Sequence, residues 1–324
     1  MRYIKSEAKD WARAFYRGLE CIIMPSFTPE ELALDEIGIR HDVRELIKHG
    51  CFSIAMLTEI GTTVEEDRLM LQCCVEEAEG RVGVNMPLRY RSLKENIEMA
   101  RFAEEAGCDS VLLRYPPNFH PTSPRDIIEY TRAICEGINL AVVLFPSSKN
   151  MFPFPGGIPA AALKEMGEIE NVVAMKAGIS DYTWLQECFR LFGDKVLISY
   201  PHDDVWAIFI RDYGMQWSGS GLFHVFQTPD DQREVRLFNL FQEGKMDEAM
   251  ELHWKMDPWR KTFQQLHTET YRTGGLYHFQ AFKYAEELVG MTGGEVREPK
   301  LSLFPRDRDR IRQAMLASGL NLVK

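Results

Sequence analysis

The sequence predicts an α/β chain folded as a (β/α)8 TIM barrel, and three observations carry that expectation. Eight short apolar runs recur along the first two thirds of the chain. Most are continuous rather than alternating, the pattern of strands buried on both faces of a parallel sheet. Amphipathic stretches of helical period separate them, at roughly 28 to 30 residues per unit.

In chain order, the opening MRYIKSEAKDWARAFYRGLE reads as an amphipathic helix that caps the barrel. It mixes acidic with basic residues, and the apolar run behind it is too brief for a signal peptide or a membrane span. The expected strands are CIIMPSF (21–27), FSIAML (52–57), RVGVNMP (81–87), SVLLRYP (110–116), LAVVLFP (140–146), NVVAMKA (171–177), KVLISYP (195–201) and MQWSGSG (215–221). Helical stretches such as ENIEMARFAEEAG (95–107) lie between them. The units repeat in architecture but share no side-chain motif. Beyond the eighth run, helical patterns near 229–242, 246–265, 276–288 and 306–319 exceed the single helix a barrel needs. The expected organisation is therefore a capped barrel over 1–228, then the last barrel helix and a C-terminal helical layer over 229–324.

Composition narrows the function classes. With 324 residues, 45% hydrophobic and 27% charged, the chain can bury one large core or two modest ones. A net charge of -10 works against a grip on nucleic-acid phosphates or anionic lipid, so neither partner is expected. The seven cysteines form no C-x-x-C pair and two of them, Cys73 and Cys74, are adjacent. That usage suggests neither a disulfide framework nor a zinc site, and points to a reducing cytoplasm.

In such barrels the chemistry lies where strands end. The end positions are Ser26, Glu59, Asn85, Arg114 with Tyr115, Phe145, Lys176, Tyr200 to His202, and Ser218 with Gly219. Lys176 follows Val172, Val173, Ala174 and Met175. An amine in such surroundings is partly desolvated, its pKa falls, and the neutral form that attacks carbonyls is enriched. The alternative is a lysine that keeps its ammonium in water beyond the strand end.

With these residues in place, the chain resembles the dihydrodipicolinate synthase and N-acetylneuraminate lyase family of class I aldolases. The likeness spans about 21–320. It rests on barrel length, the helical tail, NVVAMKAG (171–178), and AMLTEIGTTVEEDR (55–68), which is similar to the family's second-strand loop with its glutamate at Glu59. The resemblance implies a homo-oligomer, tetramer or dimer, that forms a Schiff base between a 2-oxo acid and Lys176 without cofactor or metal. Two departures stand out. The family's Gly-Thr-Thr-Gly-Glu is replaced by Ala55-Met56-Leu57-Thr58-Glu59, with Gly61-Thr62-Thr63 a decoy that begins the next helix. The family's fifth-strand tyrosine is replaced by Phe145, which has no proton to donate.

Proton handling then falls to Tyr115 or His202, each of which also reads as a structural group: a core aromatic with a wet tip, or a loop hydrogen-bonder. Glu59 either orients water or closes a salt bridge. Carboxylate binding falls to Arg114 or to the backbone amides of Met56 and Leu57. Asp203, with Asp204, caps a helix or touches substrate, and Ser218 and Gly219 line the mouth. PHDD (201–204) and KNMFPFP (149–155) resemble the hydratase-aldolase branch, which implies an aromatic or bulky aldehyde beside Phe145. The function expected is a Schiff-base lyase on a 2-oxo acid. The alternatives are a non-catalytic keto-acid-binding relative and a 4-hydroxy-tetrahydrodipicolinate synthase.

Overall fold

The computed structural model describes residues 2–58, 60–116, 118–146, 157–178, 181–270 and 277–323. In chain order its elements begin with α1 (Ala8–Phe15), β1 (Gly18–Ile23), α2 (Glu36–Lys48), β2 (Ser53–Met56) and α3 (Val64–Ala78). They continue with β3 (Gly83–Leu88), α4 (Leu93–Ala106), β4 (Ser110–Leu113), α5 (Pro124–Gly137), β5 (Ala141–Leu144), α6 (Ala160–Gly167) and β6 (Val172–Lys176). Then come α7 (Tyr182–Phe192), β7 (Leu197–Ser199), α8 (Trp206–Tyr213) and β8 (Trp217–Gly221). The tail holds α9 (Arg233–Gln242), α10 (Met246–Lys255), α11 (Asp257–Gln264), α12 (Phe279–Leu288) and α13 (Pro305–Ala317).

All eight expected strands are present, in the sheet order β7-β6-β5-β4-β3-β2-β1-β8. This is the (β/α)8 barrel with an N-terminal helix and a C-terminal helical extension. Every residue of β2, β3, β4, β5, β6 and β8 is buried, as continuous apolar runs require. The expected helix over 246–265 is two helices that meet at Met256. Pro258, at the start of the second, has no backbone N–H to give to the first.

The chain forms two compact units, residues 1–20 with 82–221, and residues 21–81 with 222–324. In the first, the strands pair in parallel: Ser110 faces Ala141, Val143 faces Ala174, and Lys176 faces Ser199. The N-terminal segment is tied to the starting ends of two of these strands. The Tyr16 hydroxyl donates to Ser110 Oγ at 2.8 Å, and Tyr3 Oη accepts from the Ala141 amide at 2.6 Å. The cap therefore sits at the end of the barrel opposite Lys176.

The second unit carries local helix signals and a buried polar chain. Asp35 accepts from the Gly38 amide to start α2, and Thr63 and Glu66 form a capping box on α3, so Thr63 belongs to that helix start. Lys283 on α12 is 0% exposed. Its amine lies 3.3 Å from Glu286 Oε2 and donates to Ser26 Oγ at 3.2 Å; Ser26 in turn donates to Asp42 Oδ2 at 3.0 Å. The other Glu286 oxygen meets His224 Nε2 at 2.9 Å. Burial alone would raise the Glu286 carboxyl, yet Lys283 and His224 outweigh it and hold the group below its ordinary range. His49, buried beside the His224 ring at 6.2 Å, is pushed down to about 3 by burial and then by His224.

One expectation about cysteine is corrected here. Cys21 on β1 and Cys51 just before β2 form a disulfide, with Cα atoms 6.1 Å apart. The two are 30 residues apart in sequence and share no motif; adjacency of their strands brings them together. Cys73, Cys74, Cys108, Cys135 and Cys188 are buried free thiols. Among the described residues, no helix is long and apolar enough to cross a membrane.

Candidate active site

Strand alternation builds the site. Successive side chains point to opposite faces, and paired residues in a parallel ladder share a face. Leu112 pairs with Val143, Val143 with Ala174, and Lys176 with Ser199. Two residues beyond Leu112 and Val143, on that same face, lie Arg114 and Phe145. The side chains agree: the Phe145 ring centroid is 4.5 Å from Lys176 Nζ and 5.2 Å from Arg114 Cζ. Their backbones continue the ladder, with the Arg114 amide donating to the Leu88 carbonyl at 2.9 Å and that of Phe145 to Leu113 at 3.2 Å.

Lys176 is 7% exposed. Its Nζ donates to the Ser220 carbonyl at 2.9 Å, and among the described residues no carboxylate forms an ion pair with it. Burial brings its pKa down from 10.5 to about 7; Glu20 draws it upward and Arg114 presses it further down. Near neutrality a large share of the amine is unprotonated, which is the form a carbonyl needs. The hydroxyl of Ser199, its ladder partner, is buried and has no hydrogen-bond partner among the described residues.

The other expected residues divide. Tyr115 stands one position past Arg114 and so faces the other way. Its hydroxyl pairs with Thr131 Oγ1 on α5 at 2.8 Å and reaches Met166 Sδ on α6 at 3.6 Å, with burial pushing the phenol far above its ordinary range. This corrects the expectation of a proton shuttle: the phenol lies between sheet and helices. Leu57 is corrected likewise, because its amide already donates to the Ile23 carbonyl at 2.9 Å. Met56 is buried as the last residue of β2. Ser218 Oγ donates to the Tyr200 carbonyl at 2.8 Å. Gly219 makes room for an indole, since a Cβ there would come within 2.0 Å of Trp217 Cζ3.

His202 precedes a single 3-10 turn at Asp203–Val205, half-buried, with its ring 5.2 Å from that of Tyr200. Asp203 lies in that turn, and Asp204 accepts from the Tyr182 hydroxyl at 3.5 Å. Glu59 and the segment 149–155 fall outside the described residues. No group of three or more His, Cys, Asp or Glu is arranged to hold a metal ion among the described residues.

Two residues absent from the expected strand-end set, Glu20 and Ser220, join the site, with Asn85 beside them. Glu20, 0% exposed, accepts from Ser220 Oγ at 2.6 Å and from Asn85 Nδ2 at 3.2 Å. Ser220 has φ 52°, the left-handed region, which turns its carbonyl to Lys176 while its hydroxyl reaches Glu20. The available signal was a glutamate set within the apolar GLECII (18–23), a charge that a buried strand does not carry without purpose.

Known proteins match this chain along most of its length. The family description "Dihydrodipicolinate synthetase family" matches residues 19–317. A 4-hydroxy-tetrahydrodipicolinate synthase of Methanoculleus marisnigri is 23% identical over 307 residues, covering 93% of this chain and 98% of that protein. One from Halorhodospira halophila is 26% identical over 294 residues, covering 89% and 91%. Among solved structures, the dihydrodipicolinate synthase of Aquifex aeolicus superposes with TM-score 0.79 at 19% identity, covering 96% of this chain and 100% of that one. The N-acetylneuraminate lyase of Fusobacterium nucleatum gives TM-score 0.76 at 16% identity, covering 93% and 98%.

Proposed function

The chain belongs to the dihydrodipicolinate synthetase family, and from that premise we propose that it is a Schiff-base-forming lyase of the class I aldolase type, acting on a 2-oxo acid through Lys176. The observation that carries the reading is the Lys176 amine itself: buried at the end of β6, poised near neutrality, and hydrogen-bonded to the Ser220 backbone carbonyl.

The neutral amine adds to the keto carbon, water leaves, and the imine so formed accepts the electron pair released when a carbon-carbon bond beta to the imine carbon breaks. The reverse sequence makes that bond. The Arg114 guanidinium, a planar donor fork beside Phe145, suits the substrate carboxylate. Phe145 offers an apolar wall for a bulky aldehyde. The Ser199 hydroxyl and His202 are the candidate hydrogen-bond donors to substrate oxygen. The reaction as written uses no cofactor, and family kinship supports a homo-oligomer.

Incubation with pyruvate and borohydride, followed by peptide mass spectrometry, tests the reading. A stable adduct on Lys176 is expected; an unmodified Lys176 alongside a labelled family member sinks it. A narrower reading, 4-hydroxy-tetrahydrodipicolinate synthase, is favoured by the names of the relatives above. Condensation of pyruvate with aspartate semialdehyde, lost in Lys176→Ala, would establish it. Imine trapping without any turnover across a 2-oxo acid panel would favour a binding role instead.

A further inference from the structure

Among the described residues, Glu20 is the acidic group that draws on the Lys176 amine, and it does so from inside the sheet, where charge is costly. Its carboxylate is not left bare. One oxygen takes the Ser220 hydroxyl and the other the Asn85 amide, from β8 and β3 on either side of β1 and beyond. Ser220 is therefore held at two points: its side chain by Glu20, its carbonyl by Lys176. The left-handed torsion at Ser220 is what lets a single residue serve both.

We infer that Glu20 is a positioning residue for the nucleophile: anchored by Asn85 and Ser220, it fixes the carbonyl that receives Lys176 Nζ and supplies the negative charge that keeps this buried amine able to hold a proton. The inference rests on the reading of Lys176 as the nucleophile and adds how its protonation is set. Without that charge, burial and the Arg114 guanidinium would drive the lysine further toward the neutral form. A site that does not favour positive charge at this nitrogen can form the imine but disfavours the protonated iminium that draws electrons in the steps that follow. Among the described residues, the pair also meets Tyr16, whose phenol is raised by burial and then by Glu20, and the uncharged Asn85, Ser110, Ser199 and Ser220.

The test reads the amine directly. Lys176 is dimethylated with 13C-formaldehyde and cyanoborohydride, and its methyl resonance is titrated by NMR in the intact protein. In Glu20→Gln the midpoint should fall by about one pH unit or more, so that at pH 6 roughly five times as much amine is neutral as in the unaltered protein. In Glu20→Asp, which keeps the charge, it should stay within about half a unit. In the unaltered protein the Glu20 carboxyl carbon should inflect at the Lys176 midpoint, a measurement that stands if Glu20→Gln fails to fold. A midpoint unmoved in Glu20→Gln, a shift as large in Glu20→Asp, or a Glu20 carbon blind to that midpoint overturns the inference. Formaldehyde requires only a reachable amine, so absence of a pyruvate adduct would count against the lyase reading and leave this one intact.

Discussion

The Ser220 carbonyl meets the Lys176 amine at 2.9 Å from a backbone bent into the left-handed region at φ 52°. A residue with a Cβ adopts that torsion at a cost of about 1 to 2 kcal/mol. Ser220→Gly relieves the torsion but releases the carbonyl from Glu20, so it should keep stability while slowing Lys176 adduct formation, whereas Ser220→Val should lose about 2 kcal/mol of stability and most of the trapping rate. Denaturant unfolding and timed borohydride quenching read the two effects.

The amine's pKa gives its pH dependence a sign. Only the neutral form attacks, so adduct formation should climb tenfold per unit below pH 7 and level off above it. The folded value lies below the unfolded 10.5, so this group adds stability as pH rises from about 7 to 10.5 and withdraws it in the other direction. Lys176→Met should abolish the adduct and raise stability at pH 7 by about 3 kcal/mol, measured by chemical denaturation.

Phe145, at the position where the resemblance implies a family tyrosine, has its ring 4.5 Å from the amine. Phe145→Tyr should return a proton donor to that spot and raise turnover of any accepted 2-oxo acid by about tenfold or more, seen in kcat rather than KM. A fall in kcat would mean that the apolar wall matters more than the lost hydroxyl.

The buried chain of the second unit predicts an asymmetric response to mutation. Glu286→Ala strands Lys283 and His224 without their shared acceptor and should cost about 3 to 5 kcal/mol. Replacing the pair together, Lys283→Met with Glu286→Leu, should recover most of that loss. A double-mutant cycle in urea measures both.

His49 predicts the acid limb. Its folded pKa of about 3 lies below the unfolded 6.5, so its contribution is complete above pH 6.5 and drains at roughly 1.4 kcal/mol per unit as pH falls toward 3. Stability measured at pH 6.5 and pH 5 should differ by about 2 kcal/mol from this source, and His49→Asn should flatten the slope.

The barrel was legible because buried parallel strands leave continuous apolar runs, and Lys176, Arg114 and Phe145 were legible because they end such runs. Tyr115 was not, since Arg114 and Tyr115 are neighbours on one strand and therefore face opposite sides; the apolar run marks the end but not which residue looks inward. Glu20 escaped for a related reason. Its charge reads as the edge of an apolar run, which placed the strand start at 21 instead of Gly18. The Cys21–Cys51 bond depends on strand adjacency, and the Ser220 torsion on local geometry, neither of which spacing encodes.

Each compact unit is assembled from pieces distant in the chain, with residues 21–81 joined to 222–324. On the ribosome, β2, α2 and α3 emerge long before the helices that complete their core. They must wait, with apolar faces open to solvent, while the whole intervening unit is made. Vectorial synthesis thus defers the core around residues 21–81 until 222–324 have left the exit tunnel.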